Sequence, residues 1–335
     1  MKICFFEDYV VGQEGVTGER TVTEADIVSF ACITEDYSLA HLNRHRMRDS
    51  IYGERVAHGL LGSSMAIGML SYDVPHVIGR GIPAAYVKSI DFNYRKGIKL
   101  GDTISVHWCI AEKMDETLFQ GCGLIRTSCQ IVNQDGVAVY DGSVTIIVAR
   151  KSASNMRLKL EPVVSTWKAN ELIPDPTKVY YSEDYPIGYG ADTDGRTITE
   201  TDIVNFAGLT GDYNPQYVDA EFAKGSAFGE RFAHGMLIFS SAFGLWVTDW
   251  HKFKLPETKR ALAGHLNDKA TFLSPVKIGD TIRCKWKVLD NTPSRTRPDV
   301  GVVTFGLEVV NQRNQVVVDG STVIMMGSKK PRVEA

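Results

Sequence analysis

What the chain lacks narrows it first. No apolar run is long enough to span a bilayer as a helix, so no membrane span is expected. The six cysteines, Cys4, Cys32, Cys109, Cys122, Cys129 and Cys284, form no CxxC pair and no Cys/His ligand spacing. That argues against a zinc site or a dithiol redox motif. Cys122 and Cys129 fall in strand-like sequence and are expected as buried thiols, which fits a reducing compartment. Positive charge is not in excess: the net charge is −3 over 335 residues, so nothing draws the whole chain to nucleic acid. The first residues, Met1 to Asp8, turn acidic too early for a signal peptide, and the expected location is the cytoplasm. With 44% hydrophobic and 23% charged residues, the composition is that of a soluble globular protein with room for two domains.

What is present is a duplication. Arg20 to Gly59 aligns without a gap on Arg196 to Gly235 at an offset of 176, with 19 of 40 positions identical. Gly101-Asp102-Thr103-Ile104 matches Gly279-Asp280-Thr281-Ile282, and Tyr140-Asp141-Gly142 matches Val318-Asp319-Gly320, now at an offset of 178. Two long copies make one fold present twice, not a solenoid.

Each copy opens on a helix. Thr23 with Asp26 three residues on is a capping-box pattern, and Ile27, Phe30 and Ala31 share one face. Asp36 to His41 reads as a loop or frayed helix end. Gly59 to Met69 is apolar all round and is expected as a buried helix, with Pro75 beyond its end. Strands are expected over 84–94, 103–111, 118–132 and 137–150, the last two joined by the turn Asn133-Gln134-Asp135-Gly136. One buried helix per long antiparallel sheet is an α+β plan. The expected domains are 1–150 and 179–335. Residues 151–178, which include Ser152, Ser154, Pro162, Pro174 and Pro176, are the expected linker.

The first copy carries Asp36 and His41 five residues apart, followed by Ala57-His58-Gly59 at a helix start; the second has Asp212, then Tyr217, then Ala233-His234-Gly235. This frame resembles the MaoC-like, R-specific enoyl-CoA hydratase family, whose pattern is Gly-Asp-x-Asn-Pro-x-His before a His-Gly-hydrophobic helix start. The resemblance covers both copies, about nine-tenths of the chain. It implies two tandem hot-dog domains, each a sheet curled round a central helix. It also implies a hydro-lyase acting on a CoA thioester, with no further cofactor, no metal, no nucleic acid and no membrane partner. A homo-oligomer is left open.

Adding water across a double bond conjugated to a thioester needs a polarised carbonyl, a held and deprotonated water, and a proton for the α-carbon. A carboxylate and an imidazole, Asp36 and His41, supply base and acid near neutral pH. The backbone N–H of Gly59 at a helix start is a natural oxyanion donor. The family resemblance gives these three residues the same roles. Which of Asp36 and His41 moves which proton stays open at this level.

The expected substrate contacts are Tyr37 and Ser38 on the acid's loop, Ala57 and His58 before the helix, and Arg44 and Arg46 towards CoA phosphates. Each has a plainer reading. His58 and His234 occur in both copies, which suits a structural hydrogen bond better than catalysis. Arg44 and Arg46 sit in a basic run that also reads as a solvated face, and the second copy has Ala220 and Phe222 there. Both copies depart from the family pattern. The first has Glu35, Ser38 and Leu39 for Gly, Asn and Pro, while the second has Tyr217 for His, a poor proton shuttle at a pKa of about 10. One active site, in the N-terminal half, is expected, with the other half forming part of the pocket wall. The alternatives are a hot-dog thioesterase and a non-catalytic acyl-CoA or acyl-carrier binding module.

Overall fold

The computed structural model describes residues 4–74, 85–115, 121–153, 158, 160–254, 264–297 and 299–329. Pro75, Ala84, Leu118 and Ser154, named above as bounds or linker residues, lie outside the described residues. The N-terminal half contains β1 (Glu14–Val16), β2 (Arg20–Thr21), α1 (Glu24–Thr34), α2 (Leu39–Leu42), α3 (Arg44–Met47) and α4 (Gly59–Asp73). Strands β3 (Tyr86–Tyr94), β4 (Thr103–Asp115), β5 (Cys122–Asn133) and β6 (Ala138–Ala149) complete it. After β7 (Asn170–Glu171) the plan repeats as β8 (Tyr189–Asp192), β9 (Arg196–Thr197), α5 (Glu200–Thr210), α6 (Pro215–Val218), α7 (Ala220–Lys224) and α8 (Gly235–Trp250). It closes with β10 (Gly264–Phe272), β11 (Thr281–Pro293), β12 (Val300–Asn311) and β13 (Val316–Gly327). None of these helices is long and apolar enough to cross a membrane.

Local chemistry starts each half alike. The Thr23 hydroxyl accepts from the Asp26 N–H, and the Asp26 carboxylate accepts from the Thr23 N–H at 2.8 Å. Thr199 and Asp202 repeat this reciprocal cap for α5. The turn after Asn133 closes on Gly136, whose φ of +71° is open to a residue without a side chain.

All thirteen strands join in one sheet, in the order β1-β4-β5-β6-β3-β10-β13-β12-β11-β8-β7, with β2 on β4 and β9 on β11. The two halves meet at an antiparallel seam, Asn93 opposite Asn267 through Ser89 opposite Thr271. Helices α4 and α8 are buried almost throughout, so they have no polar face, as the sequence of Gly59 to Met69 anticipates. This is the double hot-dog arrangement: an α+β fold with a central helix in each half.

The central helices also cross between halves. A Cβ on Gly244 of α8 would sit 1.7 Å from the Thr34 carbonyl oxygen, and one on Gly68 of α4 would sit 1.9 Å from that of Thr210. Each helix therefore lies against the end of α1 or α5 in the opposite half, where the Asp36 or Asp212 loop begins. The stretch expected as a linker is itself anchored: the Ser165 N–H donates to the Asn314 carbonyl at 2.9 Å, and the Lys287 ammonium lies 4.1 Å over the Trp167 ring.

Candidate active site

The loop that carries Asp36 is set by the end of α1. Glu35 adopts a left-handed conformation, φ +67°, and its N–H donates to the Ala31 carbonyl, ending the helix. Gly211 does this in the second half at φ +84° without the steric cost a side chain brings. The turn directs the Asp36 side chain inward, where the residue is 2% exposed. Its Oδ1 accepts from the Ser38 N–H at 3.1 Å and from the Ser38 hydroxyl. No hydrogen bond engages Oδ2 among the described residues. Ser38 thus orients the acid.

His41 lies on α2, one turn after Ser38. Its Nδ1 is 2.8 Å from the Val56 carbonyl oxygen. A carbonyl only accepts, so Nδ1 carries the hydrogen and Nε2 presents a lone pair. His58 caps the start of α4, and its Nε2–H donates to the Asp36 backbone carbonyl at 3.0 Å. Its ring lies 3.8 Å from that of His41, centre to centre. The equivalent His234 donates to the Asp212 carbonyl at 2.9 Å, so the bond belongs to the fold.

The electrostatics separate the three groups. Burial alone would raise the Asp36 pKa, but the imidazoles of His58 and His41 and the two Ser38 hydrogen bonds outweigh it and hold the value below the usual range. Burial lowers His41, with Asp36 and the Val56 carbonyl opposing in part. Burial also pushes His58 down to about 3. At neutral pH the cluster is one carboxylate between two neutral imidazoles. Ligand atoms of Asp36, His41 and His58 lie within 4.8 Å of one another, a set that a small divalent cation could also use.

These residues floor a cavity of about 260 Å³. Ser38, Ala57, His58 and Gly59 line it with Asp36 and His41. A Cβ on Gly59 would lie 2.9 Å from the Tyr94 ring and 3.1 Å from His265 Nδ1, so a side chain where α4 opens on the cavity would have to displace them. The far wall comes from the other half, including Phe243, Trp246, Val247 and Trp250 of α8 and His265 of β10. Three expected substrate contacts do not reach it. Tyr37 is 55% exposed, because in the turn after Asp36 it points outward as Asp36 points in. Arg44 and Arg46 lie on the exposed face of α3, which buries Met47 instead. The cations that line the cavity are Arg95 and Lys96, both exposed and so at its opening. Sequence reading missed them because they follow a strand and not the motif. It also missed Tyr94, His265 and Asp268: the Tyr94 hydroxyl donates to Asp268 Oδ2 at 2.7 Å, and His265 Nε2 lies 2.9 Å from Asp268 Oδ1.

The second half holds the same frame, closed. Tyr217 occupies the place of His41, its ring 3.9 Å from that of His234. Burial, with Asp212 adding to it, raises the Tyr217 phenol well above its ordinary pKa, so it keeps its proton. Phe228, Phe232 and Phe272 crowd in beside it, and the space left there amounts to about 30 Å³.

Comparison with known proteins finds the same two-part plan. The family model described as a MaoC-like domain matches residues 9–122 and 184–311, one segment in each half. Protein MaoC of Klebsiella aerogenes is 37% identical over 131 residues, 38% of this chain and 37% of that protein, so the chain spans only about a third of it. An (R)-specific enoyl-CoA hydratase of Rhodospirillum rubrum is 31% identical over 155 residues, covering 46% of this chain and 97% of the relative. A conserved hypothetical Mycobacterium tuberculosis protein with a double hot-dog fold superposes with a TM-score of 0.70 at 14% identity, over 96% of this chain and 98% of that one. At that identity the likeness speaks for the fold.

Proposed function

Since the chain belongs to the MaoC-like domain family, we propose that it is a hydro-lyase that adds water reversibly to a 2-enoyl-CoA, giving an R-3-hydroxyacyl-CoA. The observation that carries this reading is the convergence of Asp36, His41 and the N-terminus of α4 on one cavity, with His41 Nδ1 turned to the Val56 carbonyl. The names of relatives that hydrate enoyl-CoA or dehydrate 3-hydroxybutyryl-CoA support it.

In the hydration direction the water donates one hydrogen bond to His41 Nε2 and one to Asp36 Oδ2, the oxygen that Ser38 leaves open. The water oxygen bonds to the β-carbon, and the π electrons move onto the thioester oxygen as an enolate. The Gly59 N–H, at the positive end of a 15-residue helix, holds that oxygen. Asp36 takes the proton the water loses and returns it to the α-carbon as the enolate collapses. The neutral His41 and ionised Asp36 fit this relay, in which the water supplies both the hydroxyl and the α-proton.

The thioester's CoA portion leaves through the opening beside Arg95 and Lys96. Arg95 is engaged by Asp141, whereas Lys96 forms no ion pair among the described residues, so Lys96 is the better phosphate contact. Apolar side chains of α8 line the acyl end, which favours a hydrocarbon tail. Product assay with a panel of 2-enoyl-CoAs tests the reading. Loss of enoyl-thioester absorbance without release of thiol is expected; release of free CoA would make the protein a thioesterase.

A further inference from the structure

The cavity holds a second polar assembly that the water chemistry does not use. Asp268, 0% exposed, accepts from the Tyr94 hydroxyl and from His265 Nε2, and Thr322 Oγ1 also lies 2.9 Å from that nitrogen. A carboxylate only accepts, so Nε2 carries a hydrogen and Nδ1 is the other end of the ring. Nδ1 has no hydrogen-bond partner among the described residues, and His265 lines the cavity. Burial and Asp268 raise the Tyr94 phenol well above its ordinary pKa, so Tyr94 remains a donor to Asp268.

The duplication supplies an internal comparison. Strand β10 carries a bulge between His265 and Asn267, and β3 carries one between Val87 and Ser89, its counterpart at the 178 offset. The extra residue brings positions three apart onto one face of the sheet. In β3 those positions are Val87 and Ile90; in β10 they are His265 and Asp268. Tyr94 likewise corresponds to Phe272, and Thr322 to Val144. The fold is therefore satisfied by an apolar set, and the polar set occurs only beside the open cavity. A buried carboxylate that forms no ion pair with Arg or Lys among the described residues is costly to keep, which marks it as a working group.

Its place is at the thioester. The position of a Cβ lies about 2.5 Å from the backbone nitrogen of its own residue by covalent geometry. His265 Nδ1 lies 3.1 Å from that position on Gly59. The Gly59 and His265 nitrogens are thus at most about 5.6 Å apart, within the span of one oxygen accepting at about 2.9 Å from each. We propose that His265, supplied by the opposite half of the chain, is a second donor to the thioester oxygen, with Asp268 as the residue that positions it. The identity of that oxygen rests on the hydratase reading. An enolate oxygen only accepts, so the role proposed for His265 is that of an N–H donor at Nδ1, with the Asp268 carboxylate facing the other ring nitrogen. No bond to His265 forms or breaks.

The test separates the two nitrogens. His265→Gln puts an amide nitrogen where Nε2 was and keeps a partner for Asp268, but has nothing at Nδ1. His265→Asn puts its amide near Nδ1. His265→Gln should lower kcat on the order of 10²-fold with KM little changed, and His265→Asn should recover part of it. Asp268→Asn should lower kcat at least about 10-fold at unchanged KM. The triple change Tyr94→Phe, His265→Val and Asp268→Ile copies the set that the other half folds with, and should match His265→Gln while remaining folded. Acetoacetyl-CoA, whose enolate has its own ultraviolet band, gives a readout without turnover: wild type should raise the bound enolate fraction and His265→Gln should not. A His265→Gln enzyme within threefold of wild type, a loss confined to KM, or an enolate band indifferent to His265 would overturn the proposal. If wild type hydrates no enoyl-CoA the hydratase reading fails, and the enolate band still decides the role of His265.

Discussion

At the scale of residues, the proposed turnover depends on protonation states. The relay needs Asp36 ionised and His41 neutral, and both pKa values lie below their ordinary ones. For His41 burial is the largest cause, so the active neutral form persists below the usual imidazole value of about 6.5. The acid limb of kcat/KM should therefore bend below pH 6.5, and a pH–rate profile with a midpoint above that value would contradict the assignment. That Asp36, His41 and Gly59 line one cavity was legible because they belong to one short sequence frame. That Tyr37, Arg44 and Arg46 lie outside the cavity lining was not legible, because sequence proximity to the acid does not say which way a turn points. His265 and Asp268 were invisible: they come from the other half, three residues apart on a strand, and share a face only through a bulge.

At the scale of elements, the capping boxes and the apolar runs located α1, α4, α5 and α8, since those signals are written in neighbouring residues. The crossing of α8 onto the Asp36 loop was not legible, because a glycine in a helix does not announce its partner. That crossing yields a paired prediction. Gly244→Ala drives a methyl into the Thr34 carbonyl, and Gly68→Ala drives one into the Thr210 carbonyl. Each should cost about 3 kcal/mol by urea unfolding. Only Gly244→Ala displaces the loop bearing Asp36, so it alone should lose kcat beyond what its folded fraction explains. Equal kinetic losses in the two variants would show that α8 has no special hold on the site.

At the scale of the whole molecule, one copy stays open and the other is filled. The open cavity draws on both halves, with Asp36, His41 and Gly59 on one side and Phe243, Trp246 and His265 on the other. The replacement of His41 by Tyr217 at the matching position was readable in the sequence, but the filling was not, since Phe228 and Phe232 are ordinary core residues in sequence. Restoring the missing imidazole should accordingly not restore a site. Tyr217→His in an Asp36→Asn background should remain inactive, because Phe228, Phe232 and Phe272 still occupy the space. Recovered turnover in that double variant would mean that the second half opens in solution.

A single hydratase site in the N-terminal half, as proposed, makes a sharp prediction for enoyl-thioester absorbance followed in wild type, Asp36→Asn, His41→Ala and Asp212→Asn. Loss of at least about 10²-fold is expected for the first two variants, with Asp212→Asn close to wild type. Collapse in Asp212→Asn with Asp36→Asn still active would place the chemistry in the other half and contradict the account.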